Sequence, residues 1–327
     1  MNYELNENTF FVKEVFNPKL TNTGKYNYYL VTKKNLSHKQ LTRLLPTGYF
    51  CGMKDKNATT TQWFCSYDTV SEIENKDVKV EFKGTSNERI HIGKHKGNLF
   101  KVKVDLEEDE FKLLNSINFN KKKICNYFGD QRFDSRVSKF SELIDMNSWE
   151  EALKFFLTSE SKFDSEKSTE IKKVVKENWG NWKAILQSEV LPESKKELFS
   201  FLDLDGDYKK AFDFVEKKSL KQMLRAIQSQ RFNLMLHNEA LDKHPNGVKG
   251  VINGEELLLG ASKSFKRHIF VEPTEFEKHF NESGMSRKTF FQPKNFRIKK
   301  QDGYWIEFEL AKGTYATILL EFLKNYS

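Results

Sequence analysis

Residues 51–64 read Cys-Gly-Met-Lys-Asp-Lys-Asn-Ala-Thr-Thr-Thr-Gln-Trp-Phe. Their one carboxylate, Asp55, stands between Lys54 and Lys56. Ammonium groups this close favour the ionised form of an aspartate and hold its pKa below the usual value of about 3.9. An ionised aspartate cannot donate a proton, but it can act as a nucleophile or as an electrostatic partner of an electron-poor carbon. Thr59–Thr61 are β-branched and lead into apolar residues, so they predict a strand that is entered from a loop carrying Asp55.

A Lys-Asp-Lys triplet taken alone is typical of an exposed turn, and the residues around it are what favour a functional site. The pattern Gly-x-Lys-Asp-Lys-x-Ala-x-Thr-x-Gln-Trp over residues 52–63 resembles the catalytic motif of the TruD family of pseudouridine synthases almost position by position. The resemblance implies that Asp55 is the catalytic residue. Lys54 and Gln62 are also expected to bind the substrate, and the partner of Lys54 is expected to be a phosphate or a carboxylate.

A second motif lies in residues 124–133, Ile-Cys-Asn-Tyr-Phe-Gly-Asp-Gln-Arg-Phe. These residue types suit single-stranded RNA, because aromatic rings stack on bases, asparagine reads a base edge and arginine binds phosphate bidentately. The stretch is similar to another TruD-family motif over its full length. The resemblance implies that Asn126 and Phe128 lie beside the target uridine, with Arg132 as a phosphate or carboxylate partner. The chain departs from the family at Asp134, where glycine is common.

Two weaker motifs come from the two ends of the chain. Phe10 and Glu14 share one face of a strand predicted over residues 8–16, and a glutamate among apolar neighbours needs a partner. This stretch resembles the family's opening motif, which implies a substrate contact for Phe10; without the family, Phe10 reads as ordinary core. Residues 313–317, Gly-Thr-Tyr-Ala-Thr, resemble the family's last motif, with Tyr315 where phenylalanine is frequent.

Charge is distributed unevenly along the 327 residues, whose formal net charge is +8. Residues 1–140 carry +7, residues 141–218 carry −4 and residues 219–327 carry +5. The basic ends predict a surface that faces a polyanion. The acidic middle contains three echoing segments with helical spacing, which indicate a helical insert whose aromatic residues serve packing.

The expected organisation is a catalytic domain in two parts, residues 1–137 and 285–327, interrupted by an insert over residues 138–284. The resemblance implies an α+β fold: a pseudouridine-synthase-like mixed, mostly antiparallel sheet with flanking helices, plus a helical insert of the TruD type. Its expected activity is that of an isomerase that flips a uridine out of transfer RNA, most often at position 13, and converts it to pseudouridine.

No cofactor and no metal are expected. His91 and His95 are four residues apart, but the sequence offers no third ligand near them. Cys51, Cys65 and Cys125 form no CxxC pair, so we expect buried thiols in a reducing cytoplasm. There is no run of about 18 apolar residues, so no membrane span is expected. The chain is expected to act as a monomer.

Two functions from other classes remain compatible with the residues. One is an RNA-binding protein or chaperone that uses the same pocket without chemistry. The other is a hydrolase that cleaves the glycosidic bond of uridine and releases uracil. A pseudouridine synthase acting on another RNA is also open, as is the choice between attack by Asp55 on the anomeric carbon and removal of the neighbouring proton.

Overall fold

The computed structural model of the protein describes residues 1–161, 164–261 and 266–326. Within them the strands are β1 Phe10–Val15, β2 Tyr26–Lys34, β3 Tyr49–Phe50, β4 Thr59–Ser66, β5 Ile73–Glu74, β6 Val78–Ser86, β7 Gly97–Val104, β8 Lys123–Cys125, β9 Val248–Ile252, β10 Glu255–Ala261, β11 His268–Val271, β12 Met285–Lys288, β13 Phe290–Phe291, β14 Lys294–Lys300 and β15 Tyr304–Ala311. The α-helices are α1 His38–Arg43, α2 Glu108–Asn115, α3 Val137–Asp145, α4 Trp149–Thr158, α5 Glu166–Glu177, α6 Trp182–Gln187, α7 Glu193–Leu204, α8 Lys217–Lys243, α9 Glu275–His279 and α10 Ala316–Tyr326.

The first of two compact units comprises Met1–Tyr127, Glu239–Arg267 and Lys288–Ser327. Its main sheet has the strand order β14-β15-β7-β1-β4-β2-β6-β5, with β3 added beside β4. The pair β1–β4 is parallel, whereas the other described pairs of this sheet are antiparallel. The predicted mixed, mostly antiparallel α+β fold is therefore confirmed.

Strand β2 shows how this sheet builds one of its apolar cores. Its alternation buries Tyr29 and Val31 against Leu41 of α1, all without solvent exposure. Helix α1 begins after Ser37, which forms a capping box with Gln40 that satisfies the backbone N–H groups of these two residues. This helix and β2 together flank the loop that carries Asp55.

A smaller sheet in the same unit has the order β13-β8-β10-β9 and packs against α10. A Cβ at Gly260 would lie 2.4 Å from the ring of Phe322, so only glycine lets this helix approach the strand so closely. Strands β9 and β10 form a hairpin, and β10 pairs with β8.

The second unit comprises Phe128–Asn238 and His268–Arg287. It contains helices α3 to α7, most of α8, and the pair β11–β12. Phe212 is fully buried and makes ring contacts with Phe140, Trp149 and Phe276, which confirms packing as the role of aromatic residues here.

The bounds of the two units differ from the division expected at residues 138 and 284. The hairpin β9–β10 lies within 138–284 but pairs with β8 of the first unit. Composition and charge cannot reveal such a pairing, because it joins residues far apart in the chain. Conversely, residues 128–137, which were expected in the catalytic domain, belong to the second unit.

All three cysteines are buried free thiols, as predicted. Burial raises the pKa of Cys51 and of Cys125 to about 12, so neither thiol is ionised near neutral pH. None of the helices in the described ranges is both long and apolar enough to cross a membrane.

Candidate active site

Asp55 lies half-buried in the loop between β3 and β4, where the sequence places it. Both ends of this loop are tied to neighbouring segments. The backbone N–H of Gly93 donates to the carbonyl of Cys51 at 2.7 Å, and that of Asn35 donates to the carbonyl of Ala58 at 3.3 Å. These two hydrogen bonds hold both ends of the loop in place.

Lys33 reaches this loop from β2, and sequence reasoning missed it. Its Nζ donates to the carbonyl oxygen of Asp55 at 2.6 Å and to that of Leu36 at 2.7 Å. Burial lowers the pKa of Lys33 to about 8, and the charge of the Asp55 carboxylate opposes that shift. The signal was present in the strand pattern, because Lys33 is in phase with the core residues Tyr29 and Val31.

Glu14 has the partner that its apolar neighbours require. The Nζ of Lys54 lies 2.6 Å from Oε1 of Glu14, and the backbone N–H of Trp63 donates to Oε2 at 2.9 Å. Both side chains are nearly inaccessible, with 6% of Lys54 and 1% of Glu14 exposed. Of the two kinds of partner that the sequence allowed for Lys54, phosphate or carboxylate, the structure therefore has the carboxylate.

One group of potential metal ligands adjoins this ion pair. The ligand atoms of Glu14, Cys51 and His95 lie within 4.8 Å of one another, a grouping invisible in the sequence. The ammonium of Lys54 already occupies the Glu14 carboxylate. Burial and Lys54 together lower the pKa of His95, and burial raises that of Cys51. A cation here would have to displace Lys54, so the arrangement is that of a buried ion pair. His91, the other half of the predicted pair, is exposed.

Phe10 and Gln62, both named from the sequence, lie inside the first unit. Phe10 is 3% exposed, and its ring stacks on Phe100 at a centroid distance of 6.0 Å; Phe100 in turn stacks on Phe308. Gln62 has no solvent exposure, and neither atom of its side-chain amide has a hydrogen-bond partner among the described residues. Phe10 is thus packed as a core residue, which is how its sequence context reads without the family resemblance.

Asn126 and Tyr315 also belong to the first unit. Asn126 is 4% exposed, directly follows β8, and its Nδ2 donates to the carbonyl of Lys288 at 3.0 Å. This bond fixes the direction of the amide. Tyr315 is half-buried and directly precedes α10, after a turn in which Gly313 adopts a φ of 79°.

Phe128 and Arg132 belong to the second unit. The Phe128 ring, 7% exposed, has the guanidinium of Arg287 at 3.9 Å from its centroid and meets Phe232 edge-on at 5.7 Å. Arg132 donates through Nε to the hydroxyl of Ser229 at 3.1 Å. Sequence reasoning missed Arg287, because a single arginine in a short strand carries no motif.

Asn233 of α8 holds the backbone of Phe128. Its Oδ1 accepts from the Phe128 N–H at 2.8 Å, and its Nδ2 donates to the Phe128 carbonyl at 3.0 Å. Asn233 is 5% exposed, so these bonds are shielded from water. Asn233 therefore fixes the position of the second motif.

Replacing Asn233 with alanine should lower the free energy of unfolding by about 1–3 kcal/mol, since it removes two buried hydrogen bonds to the Phe128 backbone. The measurement is urea unfolding of the full chain. Gln230→Ala is the control, because this side-chain amide on the same helix bonds to Ser138 at an exposed position. Equal losses in the two variants would contradict the prediction.

A family model described as tRNA pseudouridine synthase D (TruD) matches residues 5–258. A relative from Methanococcus maripaludis, named probable tRNA pseudouridine synthase D 1, is 27% identical over an alignment that covers 99% of this chain and 100% of the relative. A relative from Aquifex aeolicus, named tRNA pseudouridine synthase D, is 25% identical over 95% of this chain and 94% of its own length.

Among solved structures, a protein from Methanosarcina mazei assigned to tRNA pseudouridine synthase D (TruD) superposes with a TM-score of 0.64. The match covers 98% of this chain and 92% of the other, at 18% sequence identity. At that identity the likeness concerns the fold.

Proposed function

The chain belongs to the TruD family of tRNA pseudouridine synthases, and we propose on this basis that it is an isomerase that converts a uridine of transfer RNA, at position 13, to pseudouridine. The observation that carries the proposal is the Asp55 loop. This loop presents a half-buried carboxylate just before the central strand β4, and two buried lysines brace the loop, Lys33 from β2 and Lys54 through Glu14 of β1. A carboxylate held in this way is preorganised for chemistry on a sugar.

The reaction breaks the bond between the ribose C1′ and N1 of uracil, turns the base and joins C1′ to C5. The proton on C5 is lost and N1 gains one, so no electrons enter or leave and no co-reactant is consumed. Asp55 acts either by attack on C1′ or by removal of the proton from the neighbouring carbon C2′. Deuterium at C2′ distinguishes the two, because only proton removal gives a primary isotope effect.

The target base must leave its stack, which costs a few kcal/mol. Stacking on aromatic side chains offsets that cost by about 1–3 kcal/mol per base. We assign this stacking first to Tyr315, which is more exposed than Phe10 or Phe128. Phe10 then serves as an apolar wall within the first unit, and Phe128 is assigned a separate contact to the RNA from the second unit. Asn126, whose amide direction is fixed by Lys288, selects the imide edge of uracil.

Two further residues, one in each unit, are assigned a role in the reaction. Arg132 of the second unit contacts a phosphate. Gln62 is fully buried, and its amide makes no hydrogen bond to a described residue, so we assign it a role inside the first unit rather than a direct contact to the RNA. Lys54 acts through Glu14 rather than on phosphate. We further propose that the chain acts on transfer RNA as a monomer in the cytoplasm.

The proposal is tested with a pseudouridine-specific primer-stop assay on bulk transfer RNA treated with wild type or with Asp55→Asn. A new stop at position 13 that appears with wild type alone is expected. A stop elsewhere would overturn the position, and free uracil among the products would indicate a hydrolase. RNA binding without any stop would favour a binding protein or another RNA substrate.

Gly52 offers a separate test of where the RNA approaches. A Cβ at this position would meet nothing within 4 Å, and the residue is not among those with a positive φ, so the fold itself does not demand glycine. Gly52→Val should leave the melting temperature unchanged and raise the KM for transfer RNA severalfold, because the side chain would fill space that the RNA backbone needs. An unchanged KM would remove this surface from the RNA contact.

A further inference from the structure

Lys33 is a fully buried lysine whose ammonium makes its hydrogen bonds to neutral backbone groups. Its ammonium contacts two backbone carbonyls, those of Leu36, just before α1, and of Asp55. One side chain thus ties the start of the helix to the loop that carries the carboxylate.

Burial of a charged group is unfavourable unless it is fully compensated, and neutral carbonyls compensate an ammonium only in part. A neutral donor such as a glutamine amide would tie the same two carbonyls at a lower desolvation cost. The group that benefits from a positive charge here is the carboxylate of Asp55, which interacts electrostatically with Lys33. The interaction with this carboxylate therefore explains why the residue is a charged lysine, which attachment of the loop alone does not.

We propose that Lys33 is a positioning residue for the reaction: its ammonium fixes the backbone of Asp55 and supplies a positive charge that directs this carboxylate. The inference rests on the proposed function, in which Asp55 acts on the ribose. It assigns a role to a residue that none of the recognisable motifs includes.

The charge of Lys33 depends on pH within the working range of an enzyme. Burial lowers its pKa to about 8, so the side chain is charged below that pH and becomes neutral above it. Besides Asp55, the titratable group that interacts with it is His38 at the start of α1, whose pKa is lowered by burial and by Lys33 itself. His38 therefore titrates on the acid side and does not overlap with Lys33.

The sign of the linkage separates catalysis from unfolding. An unfolded lysine keeps its proton up to a pKa of about 10.4. Between the folded and the unfolded value the unfolded chain binds more protons, so deprotonation of Lys33 makes the free energy of unfolding rise with pH. A loss of activity above pH 8 that follows Lys33 therefore cannot be caused by loss of the fold through this group.

The experiment compares wild type, Lys33→Met, Lys33→Arg and Lys34→Met. The control residue Lys34 is the next residue of β2 and is exposed. Single-turnover rates are measured with saturating transfer RNA from pH 6 to pH 10. In wild type and Lys34→Met the rate should fall about tenfold per pH unit above the pKa. Lys33→Met should be at least about tenfold slower and lose this alkaline fall. Lys33→Arg, which stays charged, should recover rate without the fall.

Two results would overturn the inference. One is a folded Lys33→Met with the rate and pH profile of wild type. The other is an alkaline fall in the single-turnover rate that persists in Lys33→Arg or is missing from wild type. This second result is decisive even if Lys33→Met does not fold.

The test also separates this inference from the proposed function. If wild type forms no pseudouridine at any pH, the proposed function fails. Hydrogen exchange of residues 52–58 then still reports on positioning: faster exchange in Lys33→Met than in Lys34→Met supports the loop attachment, and equal exchange refutes it.

Discussion

Replacing Asp55 with asparagine should abolish pseudouridine formation and leave tRNA binding and the fold intact. Asparagine has the same size, and the hydrogen bond from Lys33 goes to the backbone carbonyl of residue 55, which the substitution retains. The expected loss in the single-turnover rate is about 10²–10⁴-fold if the carboxylate takes a proton. A loss near 10⁶-fold, as is typical for removal of a nucleophile, would favour attack on C1′.

The measurement is a single-turnover time course with saturating transfer RNA, and circular dichroism with filter binding verifies fold and affinity. Asp68→Asn is the matched control, because Asp68 is exposed just beyond the other end of β4. If Asp55→Asn keeps more than a tenth of the wild-type rate, Asp55 is not the catalytic residue.

Removing the cation of Lys54 should have the largest effect on stability. Lys54→Met leaves the carboxylate of Glu14 buried without its counter-ion, and breaking a buried pair on one side costs about 3–5 kcal/mol. The predicted loss is in the free energy of unfolding measured with urea. Lys56→Met, an exposed neighbour in the same loop, should change it by less than about 0.5 kcal/mol.

The double variant Glu14→Leu/Lys54→Met sharpens this prediction. Replacing both members of a buried ion pair with apolar side chains is often close to neutral, so the double variant should recover most of the stability lost in Lys54→Met. A double variant as unstable as the single one would show that Lys54 acts through packing. A single-variant loss below about 1 kcal/mol would show that water screens the pair.

Local sequence was enough to predict the elements that depend on periodicity. The alternation of β1 and the β-branched start of β4 each reflect neighbours along the chain. The position of Asp55 on a loop before β4 followed from the same patterns. The need of Glu14 for a partner followed from its phase with apolar residues.

The sequence by itself determined the family, the sheet class and the residue expected to act, because motifs and strand periods are local. Only the tertiary structure decided which groups surround that residue. Lys54 pairs with Glu14, Lys33 holds the Asp55 carbonyl, and Asn233 holds Phe128. These partners are far apart in the chain and meet through strand register and packing of elements, which depend on the whole fold and leave no trace in the spacing of residues.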